Sequence, residues 1–258
     1  MFTTVAFYES VDQAAAYVAL NAVPDQHVRV VGDDIQIPTL SNVVAIAAGV
    51  ETAAANRARL VSPSLRVRSN FQITPTNGQA AAAVEPNDAH NVVDLRTSPL
   101  ALVVGEQLNV EAFANPAAAQ VQWGVVWLAD GPIVPINGAI FTVRTTSATA
   151  LVAGTWTNVA ITFDEDLPRG RYQLVGMRPV SAGIIAARAV FVGGSARPGV
   201  LGCDAVTDYG HEMWRLGQMG VFGEFEDVEP PTMDALAVSA DATQEYWLDL
   251  IQLRAGPG

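Results

Sequence analysis

Residues 122–130 read QWGVVWLAD, and Gly131-Pro132 follow at once. Trp123, Val125 and Trp127 fill one alternating set of positions, and Val126 and Leu128 fill the other. A strand with one wet face alternates apolar and polar residues, so a run apolar on both sets must be covered on both faces. Residues 183–192, GIIAARAVFV, have the same character. Strand-like runs recur around these two, at 101–104, 107–113, 121–128, 139–145, 159–163, 171–178, 184–191, 218–225 and 245–253. Turn residues separate them: Asn115-Pro116, Asp130-Gly131-Pro132, Asn137-Gly138, Leu167-Pro168-Arg169-Gly170 and Gly193-Gly194. Many β runs without helices between them predict a sandwich or jelly roll, not a parallel α/β sheet.

The N-terminal quarter reads differently. Residues 11–20 (VDQAAAYVAL) predict a short helix with Ser10 as N-cap and Pro24 beyond it. Residues 28–37 predict a hairpin around Gly32-Asp33-Asp34. Residues 41–59 are dense in alanine, with Arg57 and Arg59 placed to complement a helix C-terminus, and predict the best helix of the chain. From Leu65 the sequence LRVRSNFQI alternates at period two and predicts a strand, with turn chemistry at 74–78 and a short strand at 91–95. No repeat of fixed period is visible. The expected fold is mainly β: a single jelly-roll β-sandwich over residues 63–258 with an N-terminal arm of short helices over 1–62, the chain being too short for two full rolls.

Composition narrows the function. The 258 residues include no lysine; 14 arginines face 26 Asp and Glu, for a net charge of −12. Without lysine there is no Walker-type phosphate loop, no Schiff base and no kinase strand lysine. The acidic balance argues against coating nucleic acid directly or reading its sequence. Half of the residues are hydrophobic and only 16% are charged, against about 25% in an average globular domain. Such a sparse coat of charge suggests that much of the surface faces partner subunits. One cysteine, Cys203, allows no intrachain disulfide. The N-terminus, MFTTVAFYES, has no basic segment before an apolar run, so synthesis as a soluble cytoplasmic chain is expected.

Catalytic and metal motifs are sparse. Cys203 and His211 are eight apart with Asp204 and Asp208 nearby, but a further ligand at zinc-site spacing is missing. The carboxylates Asp164-Glu165-Asp166 precede a turn and read as a solvated loop; Glu224 and Glu226 flank Phe225 as the outer face of a strand would. Ser195 in GGSARPG lacks the spacing of a nucleophile elbow. Gly217, Gly220 and Gly223 do not form the dinucleotide fingerprint. Arg57, Arg59, Arg66 and Arg68 cluster, as a helix end followed by outward strand positions would give. The chain is therefore expected not to be an enzyme and to hold no cofactor and no metal. Trp123 and Trp127, four apart on a strand, share a face; they read as core or as the platform of a glycan- or receptor-binding module such as a viral spike or adhesin. Trp214, Phe222 and Phe225 read as core or as anchors of a subunit interface.

The C-terminal third, about 169–253, resembles coat proteins of tailless icosahedral viruses with jelly-roll subunits. The residues that carry this are RPGVLGCDA (197–205), WRLGQMGVFGEFEDVEPP (214–231) and YWLDLIQL (246–253). The resemblance implies a major capsid subunit, one roll upright in the shell, that self-assembles into capsomers in the virion. Its partners are then copies of itself, other capsid proteins and, in some such viruses, an internal membrane. Arg197, Trp214, Phe222 and Phe225 become the expected contact residues, with the arm and the loop 193–217 as contact elements.

Overall fold

The computed structural model describes residues 1–13, 15–50, 57–67, 69–73, 92–113, 117–203 and 212–255. These fall into two compact units, one from Thr4 to Pro132, the other from Ile133 onward together with Met1–Thr3.

The first unit is built from β1 (Phe2–Gln13), β2 (Val18–Ala19), β3 (Asn21–Ala22), β4 (Val30–Val31), β5 (Asp34–Gln36), β6 (Asn42–Val50), β7 (Arg57–Val61), β8 (Phe71–Ile73), β9 (Val92–Asp94), β10 (Leu100–Ala101), β11 (Gln107–Phe113) and β12 (Ala117–Ala129). One sheet runs β10-β6-β12-β1-β3, with β9 also on β6; the other runs β4-β5-β11-β7-β8, with β2 also on β11. Val5, Phe7, Ile46 and Val126 of the first sheet meet Ile35, Leu60, Leu108 and Val110 of the second in one buried core. The expected hairpin is present: β4 pairs β5 antiparallel, and Gly32 takes the turn at φ 64°.

The second unit is built from β13 (Ile140–Ser147), β14 (Thr157–Val159), β15 (Thr162–Phe163), β16 (Gly170–Val180), β17 (Ile184–Val190), β18 (Gly199–Leu201), β19 (Gly223–Glu226), β20 (Thr232–Ala237) and β21 (Gln244–Ala255). Its sheets run β15-β13-β21-β16-β19 and β14-β20-β17-β18. Within this unit Phe2 meets the Phe222 ring edge-on at 5.0 Å, and Thr3 Oγ1 accepts from Arg197 N at 3.1 Å.

The two units share one topology. In the first, β2 and β5 lie along one edge of β11, and β9 and β10 along one edge of β6, so each pair fills one place. Counting places along the chain, both units have one sheet in the order sixth-third-eighth-first and a second in the order fifth-fourth-seventh-second. Eight antiparallel strands so ordered make a jelly roll. Even the extra strands correspond: β3 pairs β1 in one roll and β15 pairs β13 in the other.

Two expectations are corrected here. The chain holds two rolls, not one, because strands of two or three residues such as β2, β14 and β18 suffice to complete a sheet. Among the described residues of 1–62 there is no helical arm. Residues 42–50 and 57–61 are strands β6 and β7, and the expected helix at 11–20 falls on the end of β1 and on β2. The alanines misled because helix propensity is a weak prior. On β12, Trp127 stands opposite Ala45, Val125 opposite Ala47 and Trp123 opposite Gly49. A Cβ on Gly49 would come within 2.4 Å of the Trp123 ring. Ala45 and Gly49 of β6 are small because their cross-strand partners, Trp127 and Trp123, are large. Among the described residues the only α-helix is α1 (Pro63–Arg66), capped by Ser62, whose Oγ accepts from Leu65 N. It replaces the first part of the strand expected over 65–73, of which only β8 remains. The turn expected at 74–78, Arg68, Asp204, Asp208 and His211 lie outside the described residues.

The surplus of apolar residues is also accounted for differently. Trp123, Val125 and Trp127 point away from the core of the first roll, yet each is 0% exposed. Both faces of β12 are buried within a single chain, so two-sided apolarity does not by itself require neighbouring copies.

Candidate functional surfaces

The residues singled out from sequence are mostly interior. Trp123 and Trp127 are fully buried, and a buried indole has no face to offer a sugar. The platform reading at these two residues is withdrawn. Trp214, Phe222, Phe225 and Arg197 are also buried, at 2%, 7%, 6% and 7% exposure. Phe225 stacks on Tyr172 with centroids 5.7 Å apart, and Arg197 donates from Nη1 to the carbonyls of Gly194 and Ala196. They shape the second roll from inside and cannot serve as exposed contact anchors. Cys203 is a buried thiol that donates to Pro179 O and accepts from Arg178 Nε, both at 3.3 Å.

A more specific arrangement of arginine occurs twice. In the first roll, Arg59 on β7 lies opposite Glu111 on β11, and Arg59 Nε donates to Glu111 Oε2 at 2.6 Å. Tyr17, directly before β2, covers the guanidinium at 3.9 Å, and Ala19, two residues on, pairs with Glu111. In the second roll, Arg188 on β17 lies opposite Asp234 on β20, and Arg188 Nε donates to Asp234 Oδ2 at 3.1 Å. Trp156, directly before β14, covers that guanidinium at 4.1 Å, and Asn158, two residues on, pairs with Asp234. The acid sits on the seventh place, the arginine on the fourth, and the ring two residues before the same register row of the second. Arginine suits this role because its flat guanidinium can stack on a ring and ion-pair in its own plane at once.

A second device belongs to the second roll alone. Asp249 on β21 is 0% exposed. It accepts from Arg215 Nε at 2.6 Å and Nη2 at 2.8 Å, from Thr142 Oγ1 at 2.7 Å and from Leu216 N at 2.9 Å. Burial alone would raise this carboxyl, but the hydrogen bonds from Arg215, Thr142 and Leu216 outweigh it and hold the group below its ordinary range. The segment 215–217 is thereby fastened to the outer face of the sheet. Gly176 leaves room for it: a Cβ there would stand 2.5 Å from Asp249 Oδ2 and 2.8 Å from Leu216 N.

Further along the same face, Trp247 pairs across strands with Arg144 on one side and Arg178 on the other. Glu245 accepts from Arg144 Nη2 at 2.6 Å and from Trp247 Nε1 at 3.3 Å. The bond from Arg144, chiefly, lowers the Glu245 carboxyl below its ordinary value. At the end of this face is a cleft of about 540 Å³ lined by Arg178, Val180, Ser181, Ala182, Asp241, Thr243, Glu245 and Trp247. Sequence reading missed it, since its residues come from β16, β21 and the loops after β16 and β20, with no local motif. Among the described residues no group of three or more His, Cys, Asp or Glu could hold a metal ion, and no helix is long and apolar enough to cross a membrane.

No family model matches the chain. No curated protein matches it either. Among solved structures it is similar to the major capsid protein P2 from Bacteriophage PM2, at 10% identity over 100% of both chains and a TM-score of 0.24. A superposition that distant does not define the fold, which rests on the strand order described above.

Proposed function

We propose that this chain is a structural coat subunit, the major capsid protein of a tailless icosahedral virus, which assembles with copies of itself. The observation that supports it is the presence of two complete rolls of one topology in one chain. Jelly rolls occur in viral capsid, lectin and cupin domains, so a single roll leaves function open. A doubled roll favours tiling: closed symmetry is the rule for homo-oligomers, and each chain added brings two rolls of like topology. On this reading the protein resides in the virion after synthesis in the host cytoplasm. Its neighbours are further copies and other capsid proteins, over an internal membrane where the virus has one. Assembly is the activity; no catalytic step, cofactor or nucleic-acid readout is assigned. Sedimentation equilibrium and negative-stain imaging of the purified protein test the reading. Closed oligomers or shells are expected. A strictly monomeric species at high concentration overturns it.

A further inference from the structure

We propose that the cleft at the end of the second roll binds a pyranose sugar, so that the chain carries a glycan site besides its part in a shell. The site stands on its own geometry and does not depend on the coat-subunit reading. Its volume, about 540 Å³, falls within the range of about 300–1,000 Å³ usual for small-molecule sites. Its chemistry selects the ligand. Trp247 is half-buried, and its indole is oriented by donation from Nε1 to Glu245. The negative face of such a ring attracts the polarised C–H groups on one side of a pyranose. Val180 and Ala182 add apolar wall, and the carboxylates among the remaining residues are held in place. Asp241 accepts from the Ser181 hydroxyl and from Thr243 N, and Glu245 accepts from Arg144 and Trp247. Each carboxylate has lone pairs for more than one donor, so both can accept from sugar hydroxyls without rearranging. Ser181 and Thr243 add hydroxyls, and Arg178 brings a guanidinium whose Nε is donated to Cys203. The lining carries two carboxylates against one guanidinium, so it has no net positive charge to hold phosphate or sulfate. A purely aliphatic ligand would meet Val180, Ala182 and the indole but would leave the carboxylates and hydroxyls of the lining without partners. A hydroxyl-rich ring with one apolar face satisfies both halves of the site.

Saturation-transfer NMR on the full chain, with the methyl glycosides of glucose, galactose, mannose and N-acetylglucosamine, tests this. At least one glycoside should give a saturable signal in the millimolar range. Trp247→Ala should weaken it at least tenfold and Thr243→Ala by a smaller factor, while Asp94→Ala in the other roll leaves it unchanged. Should Trp247→Ala fail to fold, titration of the wild-type chain decides instead. The Trp247 indole N–H resonance, assigned by its loss in Trp247→Phe, must shift with the same saturation curve. Absence of binding by all four glycosides, binding unchanged in Trp247→Ala, or an indole resonance that does not move overturns the proposal.

Discussion

The two rolls have the same strand order and repeat the same arginine, acid and ring in the same register, but they treat the outer face of the sheet that holds the first and eighth places in opposite ways. In the first, Trp123, Val125 and Trp127 of β12 lie on that face and are buried, over Gly49, Ala47 and Ala45. In the second, the same place on β21 carries Glu245, Trp247 and Asp249, between core residues Tyr246, Leu248 and Leu250. From residue 123 on, one strand is apolar on both faces, and the other alternates. One topology thus tolerates two hydrophobic patterns, because pattern reports what covers each face, while strand order reports how the chain pairs. The second roll spends its outer face on polar devices: the fastening of Asp249, and the cleft beside Trp247.

That contrast can be broken at several points. The largest effect is expected at Arg215, found only in the second roll. Arg215→Ala leaves Asp249 buried without its cation, and breaking a buried pair in this way costs about 3–5 kcal/mol. Urea denaturation should show it, and a loss under about 1 kcal/mol would mean that solvent reaches Asp249.

The repeated arginine gives the next test. Arg188 and Asp234 have side chains only 3% and 14% exposed, while Arg59 and Glu111 are 27% and 17% exposed. Arg188→Ala should therefore cost about 3 kcal/mol, and Arg59→Ala about 1 kcal/mol or less. Equal losses in urea midpoints would show that burial does not separate the two copies.

A smaller loss belongs to the apolar face of the first roll. Gly49→Ala places a methyl group against Trp123, and overpacking of this kind costs about 1–3 kcal/mol. A thermal midpoint equal to wild type would mean that the indole moves aside freely.

The mildest probe is acid. Asp249 and Glu245 titrate below their unfolded values. Their contribution is complete at neutral pH and is lost as pH falls through the folded-state values, below about 4. Stability should decline on that limb, and less steeply in Asp249→Asn. An identical slope in that variant would remove Asp249 from the account.

Legibility followed the same division. Strand β11 was readable to its ends, and β12, β16, β17 and β21 were placed within a few residues, because alternation and turn residues are local signals. The alanine-rich segment was not: Ala45 and Gly49 are small on account of Trp127 and Trp123, far away in sequence. The doubled roll was hidden for a related reason. Ala58-Arg59 and Ala187-Arg188 match, yet the loops between strands differ in length, so no fixed period survives. The ring that covers each arginine carries no mark in its own neighbourhood. Trp123 and Trp127 stood open between core and platform because alternation says which residues share a face and not whether that face is wet.

Sequence alone determined that this is a β protein without lysine chemistry, since turn residues, period-two runs and composition act within a few residues of themselves. Tertiary structure decided that there are two rolls, which tryptophans are buried, and that Trp247 borders a cleft. Those depend on strands that meet only after long loops close, and the free energy that selects their pairing comes from side chains far apart in the chain.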